Sequence, residues 1–458
     1  MKKTFKKIIV YIITQIARAI LWQHKPYIIA ITGNLGKTTT KDAVVAGISN
    51  VYVRGNEKSL NSDIGVPLTI IGAQNPWYSM HKWLYVIVKG IFVFFARDYP
   101  EFLVLEVGAD NKGDIKNITK WIKPEITIIT QFAEVPVHIE NFDDDREALI
   151  REKEYLALAT SELIIYNGDD LDCQRIAKRA TLANDKLIKM SYGKGLHNTL
   201  ILRDVGNSYD LHSAVGTVEY GHRLYKVNIE GCLGHAAILS AMPAILTSVY
   251  INNFNFLESE TLNQDDLIDN SKEQVSKLDI VNIITDTIKR LNNMQRQSGR
   301  MSPLYGINSS LIIDDTYNAS PKAVENGLET LREIGSKYRR IVVLGDMKEL
   351  GHRSESEHYR IGRLIPGSAN ILVTLGDQSR HISRGARDAG LKDGYSIECD
   401  SREDVVRELK NIIKQGDIIY IKGSQSMRME KVVREILDHS SHVAEEVLTR
   451  QDKEWLRM

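Results

Sequence analysis

Apolar residues recur along the chain in two periods, and the alternation of those periods predicts the fold. Short, continuously apolar runs at Tyr27–Thr32, Phe102–Leu105, Ile126–Thr130 and Leu163–Tyr166 end at polar residues, as strands buried in a parallel sheet do. From Ser191 to Ile229 the pattern turns to polar–apolar alternation broken by Gly193, Gly206, Gly216 and Gly221, which predicts antiparallel hairpins attached to that sheet. A helix is expected over Ala236–Val249. After Gly299 the first design restarts: strands at Leu311–Ile313, Ile341–Leu344, Ile371–Leu375 and Ile418–Ile421 alternate with helical patterns such as Pro321–Ile334 and Asp404–Lys414. The chain therefore reads as α/β throughout, with an N-terminal helix (1–25), a central parallel-sheet domain (26–297) and a Rossmann-like C-terminal domain (298–458).

Four stretches fall outside that alternation. Residues 1–23 set Lys2, Lys3, Lys6 and Lys7 beside Phe5, Ile8, Ile9, Ile12, Ile16 and Ile20, an amphipathic helix interrupted by Gln15 and Arg18. No small-residue cleavage site follows it, and its charges are too many for a spanning segment of about 20 apolar residues. Packing on the domain's own surface is the first expectation for it, contact with a membrane surface the second. The apolar run Trp83–Ala96 contains Lys89 and is too short to span, so a buried helix is expected. The acid-rich Asn252–Lys277 reads as a solvated excursion, and Leu448–Trp455 as an amphipathic lid.

Composition narrows the partners. Lys plus Arg and Asp plus Glu each total 59, so no global field recruits nucleic acid. Cys173, Cys232 and Cys399 are far apart and have no metal-type spacing, which fits core thiols in a reducing compartment.

The chemistry gathers after the first strand. In Ile31-Thr32-Gly33-Asn34-Leu35-Gly36-Lys37-Thr38-Thr39, two glycines allow a tight turn whose N–H groups point inward. Lys37 supplies a point charge, and Thr38 or Thr39 a hydroxyl for a phosphate-bound Mg²⁺. The common phosphate loop would have a glycine where Ile31 stands, so this is a shortened form. Glu106, at the end of Phe102–Leu105, can reach a cation held by Thr38, and His138 is a second candidate ligand. Lys153, within Arg151-Glu152-Lys153-Glu154, reads on composition as part of a solvated helix face. Strand ends at Gly345-Asp346, Gly376-Asp377 and Lys422-Gly423-Ser424 stand where open α/β sheets place ligand crevices.

Taken together, Ile31–Val44, Ser59–Thr69 (SLNSDIGVPLT), Leu105–Ile115, Ile150–Leu156 and Tyr166–Asp170 resemble the Mur ligases. Ser298–Met301, Ile312–Pro321, Val343–Gly351 and Lys422–Val433 extend the likeness. It is closest to the MurF branch, which joins D-alanyl-D-alanine to a UDP-muramoyl peptide. The resemblance implies an ATP- and Mg²⁺-dependent amide ligase of cell-wall precursor synthesis. Gly33, Asn34, Gly36, Lys37, Thr38 and Thr39 would hold the phosphates, while Arg300 and Asp314 or Asp315 would reach the nucleotide from the C-terminal domain. Thr38 and Glu106 would bind one Mg²⁺ and His138 a second. Lys153 corresponds to the lysine the family carbamoylates, and Asn61, Asp63 and Lys422 would face the substrate. A carboxylate activated by ATP as an acyl phosphate would then be attacked by the amine of an amino acid or dipeptide.

Two departures bear on the substrate. Only about 25 residues precede the first strand, too few for the family's N-terminal UDP-binding domain. The donor is expected to be gripped differently or to be another molecule, lipid-linked if the N-terminal helix touches a membrane. Glu230–His235 replaces the family's polar pair near the adenine with Leu233 and Gly234, leaving His235 as the substitute. A cytoplasmic monomer is the expected setting, with contact at the inner membrane face through residues 1–23 as the alternative. Another Mur-fold ligase, pseudomurein-type or folylpolyglutamate-like, is the enzymatic alternative, and a non-catalytic nucleotide-binding interaction protein the other.

Overall fold

The computed structural model describes residues 3–56, 60–77, 79–260, 271–294, 297–438 and 447–451. Two sheets organise them. The first contains β1 (Tyr27–Thr32), β2 (Val53–Gly55), β3 (Phe102–Glu106), β4 (Ile126–Ile129), β5 (Leu163–Asn167), β6 (Ile188–Gly193), β7 (Leu200–Asn207), β8 (Ser213–Tyr220) and β9 (Arg223–Glu230). Their order is β2-β3-β1-β4-β5-β6-β7-β8-β9. Strands β1 to β6 run parallel, with Ile29 paired to both Val104 and Ile126, and β7, β8 and β9 form an antiparallel meander. Parallel strands covered by helices on both faces need side chains that can be buried on both, so Ile28–Ile31 read as an unbroken apolar run. The alternating stretch makes hairpins only from Leu200 onward; Ile188–Gly193 still belongs to the parallel part.

The second sheet contains β10 (Ser302–Gly306), β11 (Ser310–Asp314), β12 (Arg340–Gly345), β13 (Ile371–Leu375), β14 (Ser396–Cys399) and β15 (Ile418–Lys422), in the order β10-β11-β15-β12-β13-β14. Only β10 runs antiparallel to its neighbour.

Between the sheets lies a helix that the apolar pattern predicted only in part. His235–Glu260 runs far past Val249, and a further helix covers Ser271–Asn292, so most of Asn252–Lys277 is helical rather than a loose excursion. The acidic residues of that stretch hide its helical character in the composition, and residues 261–270 lie outside the described residues. His235–Asn252 is apolar enough to cross a membrane, but 78% of it is buried inside the protein. It packs on the helix Lys37–Gly47 so closely that a Cβ on Gly47 would stand 3.1 Å from the Ala244 Cβ. Ser248 Oγ and Arg290 Nε both donate to the Gly47 carbonyl, at 3.2 and 2.9 Å.

The N-terminal helix, Lys3–His24, docks on the first domain, as expected: of the apolar residues anticipated there, Ile9 and Ile20 are buried, Ile16 packs in part and Ile8 is exposed, while Ile13 and Ala17 complete the buried face. Apolar residues occupy so many of its positions that periodicity could not fix the phase. Met80–Phe95 is a helix, yet only one side of it is buried: Trp83, Val86 and Gly90 point inward, Val93 and Phe94 pack in part, and Leu84, Tyr85, Val88, Ile91, Phe92 and Phe95 face solvent. Of Leu448–Trp455, the part after Gln451 lies outside the described residues, as do Lys2 and Ser59.

Candidate active site

The cradle is built where β1 gives way to the helix Lys37–Gly47. Gly33 has φ +137°, and a Cβ there would lie 2.1 Å from Thr130 Oγ1, so only glycine lets the turn pass this close to the end of β4. Asn34 N then donates to the Gln131 carbonyl at 2.7 Å. Gly36, at φ +80°, caps the helix without any side-chain bond, leaving its first turn to face a ligand. Lys37 Nζ folds back to donate to the Gly33 and Asn34 carbonyls, at 3.0 and 3.3 Å. Desolvation lowers its pKa against the attraction of Glu106.

Glu106 ends β3 directly beside this turn and is 2% exposed. Its two oxygens are held by neutral donors: Thr38 Oγ1 at 2.9 Å and Asn61 Nδ2 at 3.1 Å. The carboxylate is thus fixed in direction without being neutralised. Lys153, expected on a solvated face, is 3% exposed on the helix Arg146–Leu158. Burial, then repulsion from Lys37, pushes its pKa down to about 7. Its charged neighbours could be buried because each finds a partner. Glu152 accepts from the N–H groups of Gly113, Ile115 and Lys116, at 2.9, 2.7 and 3.0 Å, and Glu154 pairs with Arg179. His138 is held in the left-handed region at φ +67°. Its Nδ1 lies 3.1 Å from Glu349, across in the second domain, and its Nε2 3.7 Å from Asp110.

The second domain closes the opposite wall. Arg300 Nη2 donates to Thr38 Oγ1 at 3.2 Å, and its guanidinium stacks 4.1 Å from the Tyr317 ring centroid. Asp315 and Lys422 form a buried ion pair at 2.6 Å, and the same Nζ also donates to the Asp315 and Asn318 carbonyls. Asp314 is buried beneath, bonded to Thr316, and desolvation raises its pKa to about 6. The C-terminal segment seals the edge: Arg450 pairs with Glu430 at 2.8 Å and donates to the carbonyls of Thr316 and Tyr317.

These groups line one cleft of about 1640 Å³ shared by both domains: Asn34, Gly36 to Thr39, Asn61, Glu106, His138, Lys153, Arg300, Asp315 and Lys422 all reach it. Gly33 shapes it from behind, Asp314 lies under Asp315, and Asp63 is exposed away from it. Asp110, Tyr317 and Arg450 also line the cleft and were missed. Asp110 and Tyr317 lie inside the stretches Leu105–Ile115 and Ile312–Pro321 that carry the family likeness, and Arg450 inside the expected lid, but only their contacts with His138, Arg300 and Glu430 show their place. His235, buried at the mouth, keeps Nδ1 without a hydrogen bond.

The donor set suits a phosphate chain with a magnesium ion. Asn34 Oδ1, Thr40 Oγ1 and Arg300 Nε are buried here without hydrogen bonds. Among the described residues no three His, Cys, Asp or Glu side chains converge as a self-sufficient metal cage. Mg²⁺ keeps water and phosphate ligands and takes only one or two from protein. Thr38 and Glu106 are placed to be those two.

Comparison with known proteins agrees with this geometry. The Mur ligase middle domain matches residues 31–247, and the Mur ligase glutamate ligase domain matches residues 299–425. The UDP-N-acetylmuramoyl-tripeptide–D-alanyl-D-alanine ligase of Bacillus subtilis is 25% identical over 93% of this chain and 79% of its own, and that of Escherichia coli 24% identical over 90% and 77%. Among solved structures, MurF ligase of Thermotoga maritima in complex with ADP superposes with a TM-score of 0.69 at 21% identity, covering 93% of this chain and 83% of its own. MurF from Acinetobacter baumannii gives 0.70 at 21%, covering 92% and 79%. With both halves of the cleft inside the two matched regions, this chain belongs to the Mur ligase family.

Proposed function

We propose that this protein is an ATP-dependent peptide ligase of peptidoglycan precursor synthesis, joining the carboxylate of a UDP-linked muramoyl peptide to D-alanyl-D-alanine. The observation that carries the reading is the Thr38–Glu106–Asn61 cluster facing Arg300 across the cleft, with Lys37 and Lys153 beside it. A carboxylate does not react with an amine until it gains a leaving group, and bringing it against a phosphate means apposing two anions. Lys37 and Arg300 supply cationic charge from opposite walls to offset that repulsion. Magnesium held at Thr38 and Glu106 would add neutralising charge to the phosphates. Lys153, with a pKa near neutrality, holds enough free amine to take up CO₂ as a carbamate, which turns a buried cation into a metal-facing anion. His138 is read as serving a second ion beside Asp110. The protein is read as a monomer. Residues 26–297 and 298–458 are read as the two bodies whose closure excludes water from the activated acyl group.

The test supplies purified protein with ATP, Mg²⁺ and D-alanyl-D-alanine, and separately with UDP-muramoyl peptides or a lipid-carried muramoyl peptide as donor. Phosphate release and amide product are followed. Product from the UDP-linked donor is expected. Product only from the lipid-carried donor would correct the substrate, and equal basal ATP turnover with every donor, unchanged in Lys153→Ala, would remove the ligase reading.

A further inference from the structure

The helices Lys3–His24 and Met80–Phe95 lie against each other: a Cβ on Gly90 would stand 2.5 Å from Ile16 Cγ2, and a His24 ring nitrogen is 2.9 Å from the Val93 carbonyl oxygen. Their inner faces are fully used. Ile13, Ala17 and Ile20 have no exposed surface, His24 stacks on Tyr99 at 4.4 Å, and Trp83 Nε1 donates to the Trp77 carbonyl at 3.1 Å. A surface helix of a globular protein has one apolar stripe, and these two helices have already buried theirs.

What is left over is apolar as well. On Met80–Phe95, Leu84, Tyr85, Val88, Ile91, Phe92 and Phe95 follow the three-to-four residue period on the side opposite Trp83, Val86 and Gly90, with Phe92 72% and Phe95 75% exposed. On Lys3–His24, Ile8, Tyr11 and Trp22 recur on the outer side, with Trp22 72% exposed. A contiguous apolar surface of this kind on a folded domain marks an interaction site.

Charge selects the partner. The chain as a whole is balanced, yet neither helix contains an acidic residue, while together they carry Lys3, Lys6, Lys7, Arg18, Lys82 and Lys89. Exposed aromatic and aliphatic side chains on helices whose charged residues are all cations, with Arg18 and Lys82 exposed, match the headgroup and upper acyl region of an anionic bilayer. At 22 and 16 residues, with those charges, the helices are suited to lie in that interface rather than cross it. We propose that the outer faces of these two helices form one monotopic docking surface for an anionic lipid bilayer. The core beneath holds them rigidly, so the whole enzyme sits on the membrane in one orientation. The inference is independent of the proposed reaction.

The experiment uses the intact protein with phosphatidylcholine vesicles, with and without phosphatidylglycerol. Co-sedimentation with the phosphatidylglycerol vesicles is expected, weakening as salt rises, together with quenching of Trp22 by brominated acyl chains that is lost in Trp22→Ser. Phe92→Ser combined with Phe95→Ser alters only exposed side chains. It is expected to keep the wild-type melting temperature and to lower partitioning at least about tenfold. Lys82→Glu is expected to lower it by severalfold, on phosphatidylglycerol vesicles only. Absence of binding at low salt overturns the proposal. So does binding that the double variant leaves intact, or a lipid-free dimer that the double variant dissociates, since the face would then belong to a second copy.

Discussion

The two walls of the cleft handle charge in opposite ways. On the first sheet, Glu106 is oriented by the neutral Thr38 and Asn61, Lys37 touches only carbonyls, and the leading charged neighbour of Lys153 is the repulsive Lys37. On the second sheet the cations are already matched: Lys422 to Asp315, and Arg450 and Arg428 to Glu430. The first wall keeps uncompensated charge available for a ligand, while the second uses charge to fix its own loops and sends across one guanidinium, Arg300. Preorganised charge of the first kind favours function at some cost in stability, whereas paired charge of the second kind fixes a conformation.

Removing one member of a matched pair should have the largest effect. Lys422→Met leaves Asp315 buried and unpaired, and a loss of about 3–5 kcal/mol of stability is expected by denaturant unfolding. Adding Asp315→Asn should recover much of it, since no lone charge then remains. If Lys422→Met unfolds like wild type and changes only KM for the amine substrate, Lys422 faces substrate and the contrast between the walls fails.

On the open wall the order reverses. Lys37→Met should lower kcat about 10²–10³-fold, the scale of losing one preorganised charge at a reacting centre. Its melting temperature should hold or rise, because a partly desolvated ammonium has been removed. Simultaneous loss of stability and activity would mean that Lys37 is structural, holding the turn through Gly33 and Asn34.

Arg300→Lys tests the guanidinium that reaches Thr38 from the second wall. The charge stays, but stacking on Tyr317 and the reach to Thr38 are lost, so KM for ATP should rise about tenfold with kcat changed less. An equal effect on kcat and KM for the amine would place Arg300 with the acceptor instead.

How much of this was legible in sequence differs between the walls for the same reason. The open wall depends on local geometry: glycines at Gly33 and Gly36, a hydroxyl after Lys37, and a carboxylate at a strand end, all readable from spacing. The matched wall depends on contacts between residues far apart in sequence, such as Lys422 with Asp315 and Arg450 with Glu430, and no local pattern encodes those. Lys153 was misjudged because three charges surround it, and only the tertiary partners of Glu152 and Glu154 reveal that the segment is buried. Met80–Phe95 misled in the other direction. An apolar composition specifies that a helix avoids water, and it does not say whether protein or another apolar phase provides the shelter.

Lys153 also offers the finest separation between the walls, through pH. A pKa near 7, against an ordinary value near 10.5, means that the folded chain binds fewer protons than the unfolded chain between those values. Stability from this group therefore rises with pH across that window, and below pH 7 the full cost of the buried charge is present. Lys153→Met should accordingly be more stable than wild type at pH 6, with the gap closing as pH rises through 7 and beyond. Carbamate formation follows the neutral amine, whose fraction falls roughly fivefold between pH 7 and pH 6 for a pKa of about 7. Protein stripped of CO₂ and then given ¹³CO₂ at the same dissolved concentration at each pH should take up label at Lys153 at rates in that ratio, with Lys153→Met taking up none at that position. A roughly tenfold ratio, with little label taken up at either pH, would mean that Lys153 keeps a surface-like pKa. The first wall would then lose the feature that most distinguishes it from the second, a cation whose burial and repulsion by Lys37 outweigh the attraction of Asp110, Glu152 and Glu106.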